Sequence, residues 1–465
     1  MNSKSKPSQS NPQSPILEGP VGPTLVKLAI PMTFGILSIV MFNVVDTLYV
    51  GHLGSQQLAA LSFTFPVVFF VISISIGLSI GLSAVLAKAI GEGNPERVRR
   101  LTTHGMLLAL LIVLIVALIG LLTMDPVFLA MGAEAQLMPI IKEYMTVWFL
   151  GIGMLVIPMV GNGAIRATGD TKTPSWIMVM VGVINIILDP FFIFGIGPFP
   201  RLEVTGAALV TVIAWGCSLL VTLWILGKRE KMIRIPQAPL RVILQSWKEI
   251  LHIGGPAILT NMMVPISAGI LTRFLAQFGE DPVAAYGVGS RIETIAIIGM
   301  LALTSVLTPF IGQNWGAGNH QRVREGTWFS LKFCLVWSLA IYLLIFFLAR
   351  PLGRAFTGDP EIIQWIQIFL WWVPLTYGGY GISICVNAIF NALHRPLSAT
   401  LLVILRLFLF TIPLAYLGGR IWGVWGVFLG VGAGNILIGF LSFFWIFRYL
   451  NPKPKISLEG AIRQE

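Results

Sequence analysis

Charge is what this 465-residue chain has least of: Asp, Glu, Lys and Arg together make up 11% of it, against roughly 25% in a soluble globular protein. That shortage, beside 56% hydrophobic residues, excludes a water-soluble globule. Cysteine is scarce too. Cys217, Cys334 and Cys385 all fall within apolar stretches, which gives no disulfide framework and no zinc spacing and leaves them as small buried hydrophobes. The five His show no metal-ligand spacing. There is no glycine-rich nucleotide-binding loop, so ATP is not the energy source within this chain. The stretch MNSKSKPSQSNPQSP at the start is polar and lacks the apolar core of a signal peptide; the expectation is that nothing is cleaved there.

What the chain has instead is apolar length. Windows of 18 or more apolar residues, separated by short polar loops, recur from end to end. Twelve are expected: roughly 25–50, 58–87, 101–124, 138–165, 174–197, 205–226, 250–274, 283–312, 327–350, 364–391, 396–418 and 424–449. The fold class is an all-α membrane protein. The net charge of +11 is a matter of topology. Of the 31 Lys and Arg, 23 fall in the tails and even-numbered loops, among them Lys88, Arg97, Arg166, Lys172, Arg229 and Arg322. Six fall in the odd-numbered loops and flanks, and Arg291 and Arg406 lie within spans. The positive-inside rule then puts both termini in the cytoplasm of a multi-pass protein of the inner or plasma membrane. Nucleic acid is not an expected partner.

The sequence also repeats itself at a fixed offset. GEGNPERVR (91–99) matches GAGNHQRVR (316–324), and the same offset aligns Pro31 with Pro256, Gly54 with Gly279, Pro126 with Pro351 and Asn162 with Asn387. Six spans separate equivalent points. Because six is even, the halves share one orientation, related by a pseudo-two-fold axis along the membrane normal. The expected organisation is a tail over 1–23, a six-helix lobe over 24–226, a linker over 227–249 with Pro236 and Pro239, a second lobe over 250–450 and a tail over 451–465.

Two carboxylates interrupt the apolar spans of the first half, Asp46 and Asp189. A carboxylate at a bilayer centre costs about 2.5–3.5 kcal/mol on insertion scales, so it persists where it faces a cavity and binds an ion, a proton or a substrate. The bland alternatives are a helix-end carboxylate for Asp46 and a helix-breaking Asp before Pro190. Asn43 lies three residues before Asp46, and Asn185 four before Asp189, each on the same helical face as its acid. Two carboxylates, two amide oxygens and a hydroxyl such as Thr211 form a hard-oxygen cluster. Its chemistry suits Na⁺ at Asp46, Asn185 and Asp189, or a carboxylate that cycles a proton. Interhelical hydrogen bonding is the other reading of Asn43 and Asn185. The second half lacks these acids: Leu271 and Ile412 stand at the corresponding positions.

LAIPM (28–32), VVDTLYVGHLG (44–54), GEGNPERVRR (91–100), RATGDTKTP (166–174) and NIILDPFFIFG (185–195) resemble the MATE family of multidrug and toxic-compound extrusion transporters. FGEDPVAAYGVGSRIE (278–293) and GQNWGAGNHQRVREG (312–326) do so in the second half. The resemblance runs from about residue 24 to 449, and acids confined to the first half resemble its DinF-like and archaeal branch. It implies two six-helix lobes and export of organic cations in exchange for Na⁺ or H⁺, by a monomer with no cofactor beyond the coupling ion. It adds Asn162 to the coupling set, matches Asp46, Asn185, Asp189 and Thr211 to it, and makes Pro31 the point where the first span bends. Two competing functions are a flippase for lipid-linked precursors, which would want a strongly basic central cavity, and a membrane-embedded enzyme using Asp46 and Asp189. Arg291 and Glu293 read as interfacial and Arg406 as structural.

Overall fold

A computed structural model describes residues 16–234 and 238–451. The polar stretch 1–15, the tail from 452, and with them Lys4, Lys6, Lys453, Lys455, Arg463 and the linker's Pro236, lie outside the described residues. With no water at bilayer depth, every backbone N–H and C=O of an apolar run must bond within its own segment, so the runs become helices. They are α1 (Val21–Gly51), α2 (Ser55–Gly91), α3 (Pro95–Leu122), α4 (Met138–Ala167), α5 (Lys172–Phe194), α6 (Glu203–Arg229), α7 (Leu240–Ala276), α8 (Glu280–Ala296 and Ile298–Gly316), α9 (His320–Phe356) and α10 (Pro360–Ala392). The stretch Pro396–Leu450 breaks at Trp422 and at Gly423, whose φ of 61° favours glycine, and so forms α11 (396–421) and α12 (424–450). Twelve spans result, and no strand occurs among the described residues.

Two details refine the expected spans and linker. Span eight is not one straight helix but is bent by 48° at Ile297. The linker 227–249 is helical from Leu240 onward; charged residues such as Arg241, Lys248 and Glu249 sit comfortably in a helix that projects past the lipid.

The two halves exchange their beginnings. One apolar core joins α8–α12 with Ile16, Val21, Leu25, Ala29 and Met32 from the start of α1. The other joins α2–α6 with Ile250 and Ile253 from the start of α7. Leu25 and Ile250 are counterparts in the repeat, and both are fully buried in the opposite half. Pro31 lies where α1 changes partners. Up to Met32 the helix packs in the second half's core, and at Gly35 it rests on Ser175 and Met178 of α5.

Lipid tails offer helices no hydrophobic reason to associate, so close packing of small residues carries the contact between halves. A Cβ on Gly77 would lie 2.6 Å from the Ile258 nitrogen, and one on Gly81 2.6 Å from the Ile250 carbonyl oxygen. Toward the face that carries both tails, Gly91 abuts the Gln313 carbonyl and Gly316 abuts the Lys88 carbonyl. Gln313 and Lys88 are themselves repeat equivalents, as Gly91 and Gly316 are, so the contact is reciprocal about the two-fold axis. The motif arginines behave likewise. Arg97 pairs with Glu92 and with Glu249 at the start of α7, while Arg322 donates to the carbonyls of Ile16, Glu18 and Gly19 just before α1. Beside them Asp170, in the α4–α5 turn, accepts from the Thr173 backbone and hydroxyl and from Arg229. Burial pushes this carboxyl up, but those bonds and the Arg229 charge outweigh it and hold it below the usual carboxylate range. At this face the two halves meet in direct contact.

Overpacking a tight contact costs about 1–3 kcal/mol. Gly91→Ala and Gly316→Ala should therefore each lower the midpoint of thermal unfolding of the purified protein in detergent by several degrees. Gly255→Ala, where an added Cβ meets open space, should not.

Candidate functional site

Asp46 lies five residues before the end of α1, Asp189 five before the end of α5, and Tyr144 six after the start of α4. At 1.5 Å per residue, all three sit roughly 7–9 Å inside the face opposite the tails. They are within electrostatic reach of one another. Asp189 is completely buried, and neither of its carboxylate oxygens has a hydrogen-bond partner; the buried Oδ1 of Asp46 has none either. Asn185, also completely buried, donates from Nδ2 to the Val181 carbonyl (2.8 Å) and accepts at Oδ1 from the Thr211 hydroxyl (3.1 Å). Pro190 has no N–H to give the Ile186 carbonyl, which adds a further oxygen one turn from Asp189.

An apolar plug covers these groups on the side away from the tails. Val50 and Ile193 follow the two acids by four residues, Ala207 precedes Thr211 by four, and together with Val204 they form one buried cluster. Tyr49 and Phe194 close over it edge to face, with centroids 6.2 Å apart. Asp189, buried this way with both oxygens unbonded, needs either a proton or a cation to offset its desolvation, and the half-buried carboxylate of Asp46 within electrostatic reach adds to that need. The donors nearby are all oxygens of the kind Na⁺ accepts. Among the described residues no group of three His, Cys, Asp or Glu forms a transition-metal site.

The other expected members are placed differently. Asn43 is exposed and spends its Nδ2 on the Ile39 carbonyl of its own helix (2.9 Å). Asn162 is buried with a partnerless Oδ1, but it lies 18 residues along α4 from Tyr144, roughly 27 Å toward the tail-bearing face, and one turn before Arg166. Tyr144 is the residue that sequence reasoning missed. Counting depth from the helix ends would have put it level with both acids.

A second polar feature lies between the halves: a cavity of ≈ 330 Å³. Ser83 and Arg166 line it from the first half, and Asn261, Tyr380, Asn387 and Arg406 from the second. Arg166, counted as a loop charge from the sequence, is instead within α4 and donates to the Ser79 hydroxyl (3.0 Å). Arg406 opens a π-type stretch, Leu405–Thr411, of the kind that often marks functional sites. Its guanidinium stacks 4.6 Å from the Tyr380 ring centroid, and its Nε has no hydrogen-bond partner. Glu293 is within electrostatic reach of Arg406.

The repeat is visible in comparisons with known proteins as well. The MatE family model matches twice, over residues 31–191 and 256–417, so that the two matches begin at Pro31 and at its repeat counterpart Pro256. A Shewanella oneidensis protein named FAD transporter is 37% identical over 437 residues, covering 94% of this chain and 97% of its own length. A probable multidrug resistance protein, NorM of Thermotoga maritima, is 26% identical and is covered to 96% of its length by 94% of this chain. The crystal structure of the Vibrio cholerae MATE transporter VcmN in the bent form superimposes with a TM-score of 0.88 at 32% identity, over 92% of this chain and 97% of that one. The chain therefore belongs to the MATE family: it is a multi-pass membrane transporter and not an enzyme.

Proposed function

We propose that this protein exports organic compounds in exchange for H⁺ or Na⁺, with Asp46 and Asp189 as the coupling site. The observation that carries the reading is Asp189, completely buried with neither carboxylate oxygen partnered, beside half-buried Asp46, whose buried Oδ1 is also unpartnered. Asn185 and Thr211 complete the oxygen set, Tyr144 borders it, and Asn162 and Asn43 are its more distant candidates. Filling the site changes the charge on α1 and α5 together. Pro31, where α1 passes from one core to the other, is where that helix bends in response. The tail-bearing face is cytoplasmic by the distribution of Lys and Arg, and the transporter works as a monomer. The Asp46–Asp189 pair in the first half supports placing it in the DinF-like and archaeal branch; Glu293, read from the sequence as interfacial, lies instead 13 residues into α8, within electrostatic reach of Arg406. Relatives named for multidrug resistance support export of drugs without fixing their charge, whereas the Shewanella relative named for FAD favours an anion over the cations the family resemblance implied.

The test is substrate efflux from vesicles energised by a Na⁺ gradient or by a pH gradient. Asp46→Asn and Asp189→Asn should each abolish driven efflux at unchanged membrane levels, since an amide neither titrates nor neutralises a cation. Wild-type efflux by either mutant sinks the proposal.

Asn185→Ala should raise the half-saturation of the driving ion by roughly fivefold, the equivalent of one hydrogen bond of about 1 kcal/mol, while the substrate's half-saturation moves little. Glu293→Gln, in the half without the acid pair, should reduce transport only modestly in the same vesicles. A dead Glu293→Gln beside an active Asp46→Asn would move coupling to the second half.

A further inference from the structure

We propose that the cavity between the halves is the substrate site and that it takes an organic anion bearing a phosphate group, held by Arg166 from one half and Arg406 from the other. This deepens the reading of the protein as an ion-coupled exporter and rests on it. Two arginines line the cavity, and none of its lining residues is Asp or Glu. Among the described residues neither arginine has a carboxylate within 4.0 Å, whereas Arg97, Arg201 and Arg229 each do. Arg406 is only 7% exposed, and its Nε is buried without an acceptor. A buried guanidinium with an unfilled donor is costly, and an anion entering the cavity would supply what it lacks. A guanidinium presents paired N–H groups that match phosphate oxygens.

The surroundings fit the same ligand. Tyr380, under Arg406, fixes the plane of the guanidinium and offers an aromatic surface for a flat ring. Ser83 and Thr308 add hydroxyl donors, while the Thr304 and Ser305 hydroxyls donate to the Leu301 and Ala302 carbonyls of their own helix. A volume of ≈ 330 Å³ lies at the lower end of the small-molecule range of roughly 300–1,000 Å³. A cationic drug would meet two arginines in the lining, with the carboxylate nearest Arg406 in electrostatic terms, Glu293, outside it. The site also stands apart from the coupling acids, since neither Asp46 nor Asp189 lines the cavity. Substrate and ion would therefore be exchanged through the helices and not through competition for one group.

The test is equilibrium binding to the purified full-length protein in nanodiscs of neutral lipid, with no ion gradient, read by flavin fluorescence anisotropy. The probes are FMN, riboflavin (the same ring without phosphate) and the cation ethidium. FMN should bind at least tenfold more tightly than riboflavin. Arg166→Gln and Arg406→Gln should each weaken FMN tenfold or more, with riboflavin unchanged and ethidium no weaker. Should Arg406→Gln fail to fold, Arg406→Lys and the less buried Arg166→Gln carry the test. Equal binding of FMN and riboflavin, or ethidium binding without FMN binding, overturns the proposal. Loss of FMN binding when phosphatidylglycerol is added to the nanodiscs would assign the arginines to a lipid headgroup and overturn it too. Binding without a gradient separates this outcome from the coupling reading. An FMN-selective protein whose efflux ignores Asp46→Asn refutes only the latter, and a Na⁺- or H⁺-driven exporter blind to phosphate refutes only the former.

Discussion

Complete burial shuts Asp189 off from water, and the same dryness governs much of the structure. A carboxylate that finds no water must find a proton, a cation or a donor from the protein. This one finds no donor: Asn185 is engaged by Thr211 and Val181, and the residues above it are Val50, Ile193, Val204 and Ala207. The same dryness removes the hydrophobic effect as glue between helices. Glycines that allow backbone to meet backbone therefore hold the halves together at Gly77, Gly81, Gly91 and Gly316. One condition makes the acid reactive and the scaffold tight.

The scaffold is symmetric and the chemistry is not. Gly91 and Gly316, Arg97 and Arg322, and Leu25 and Ile250 repeat their contacts across the axis, yet Leu271 and Ile412 occupy the places of the two acids. The cavity mixes the two patterns. Arg166 has Asn391 as its counterpart in the repeat, and both line the same space from opposite halves. The frame was thus duplicated with the acid pair in one copy and with Leu271 and Ile412 in the other.

Much of this was legible in the amino-acid sequence, because lipid imposes long apolar runs and makes any interruption conspicuous. The twelve spans, the internal repeat and the two acids that interrupt the spans all came through that filter. What escaped had no such contrast. Tyr144 is one aromatic among many in apolar helices. Nothing at Ile297 announces a 48° bend, since the break contains neither Pro nor Gly. Arg166 is the penultimate residue of α4, and position along the chain cannot tell a loop cation from one aimed between the halves. Asn43 shares a helical face with Asp46, but its amide is satisfied by its own backbone, an outcome that spacing alone does not reveal.

The exchanged helix starts bear on how the molecule is made. α1 leaves the ribosome before the other eleven spans, yet Val21, Leu25, Ala29 and Met32 belong to a core whose other buried members, Ile16 apart, lie beyond residue 270. Until α8 and α9 are in the bilayer, the leading helix has lipid where its permanent neighbours will be. α7 meets the reverse situation and can lay Ile250 and Ile253 directly into a half already synthesised. Assembly is thus a clasp closed late, with the oldest segment waiting for the youngest. Severing the chain between the halves would leave each fragment with a core that only the other can complete.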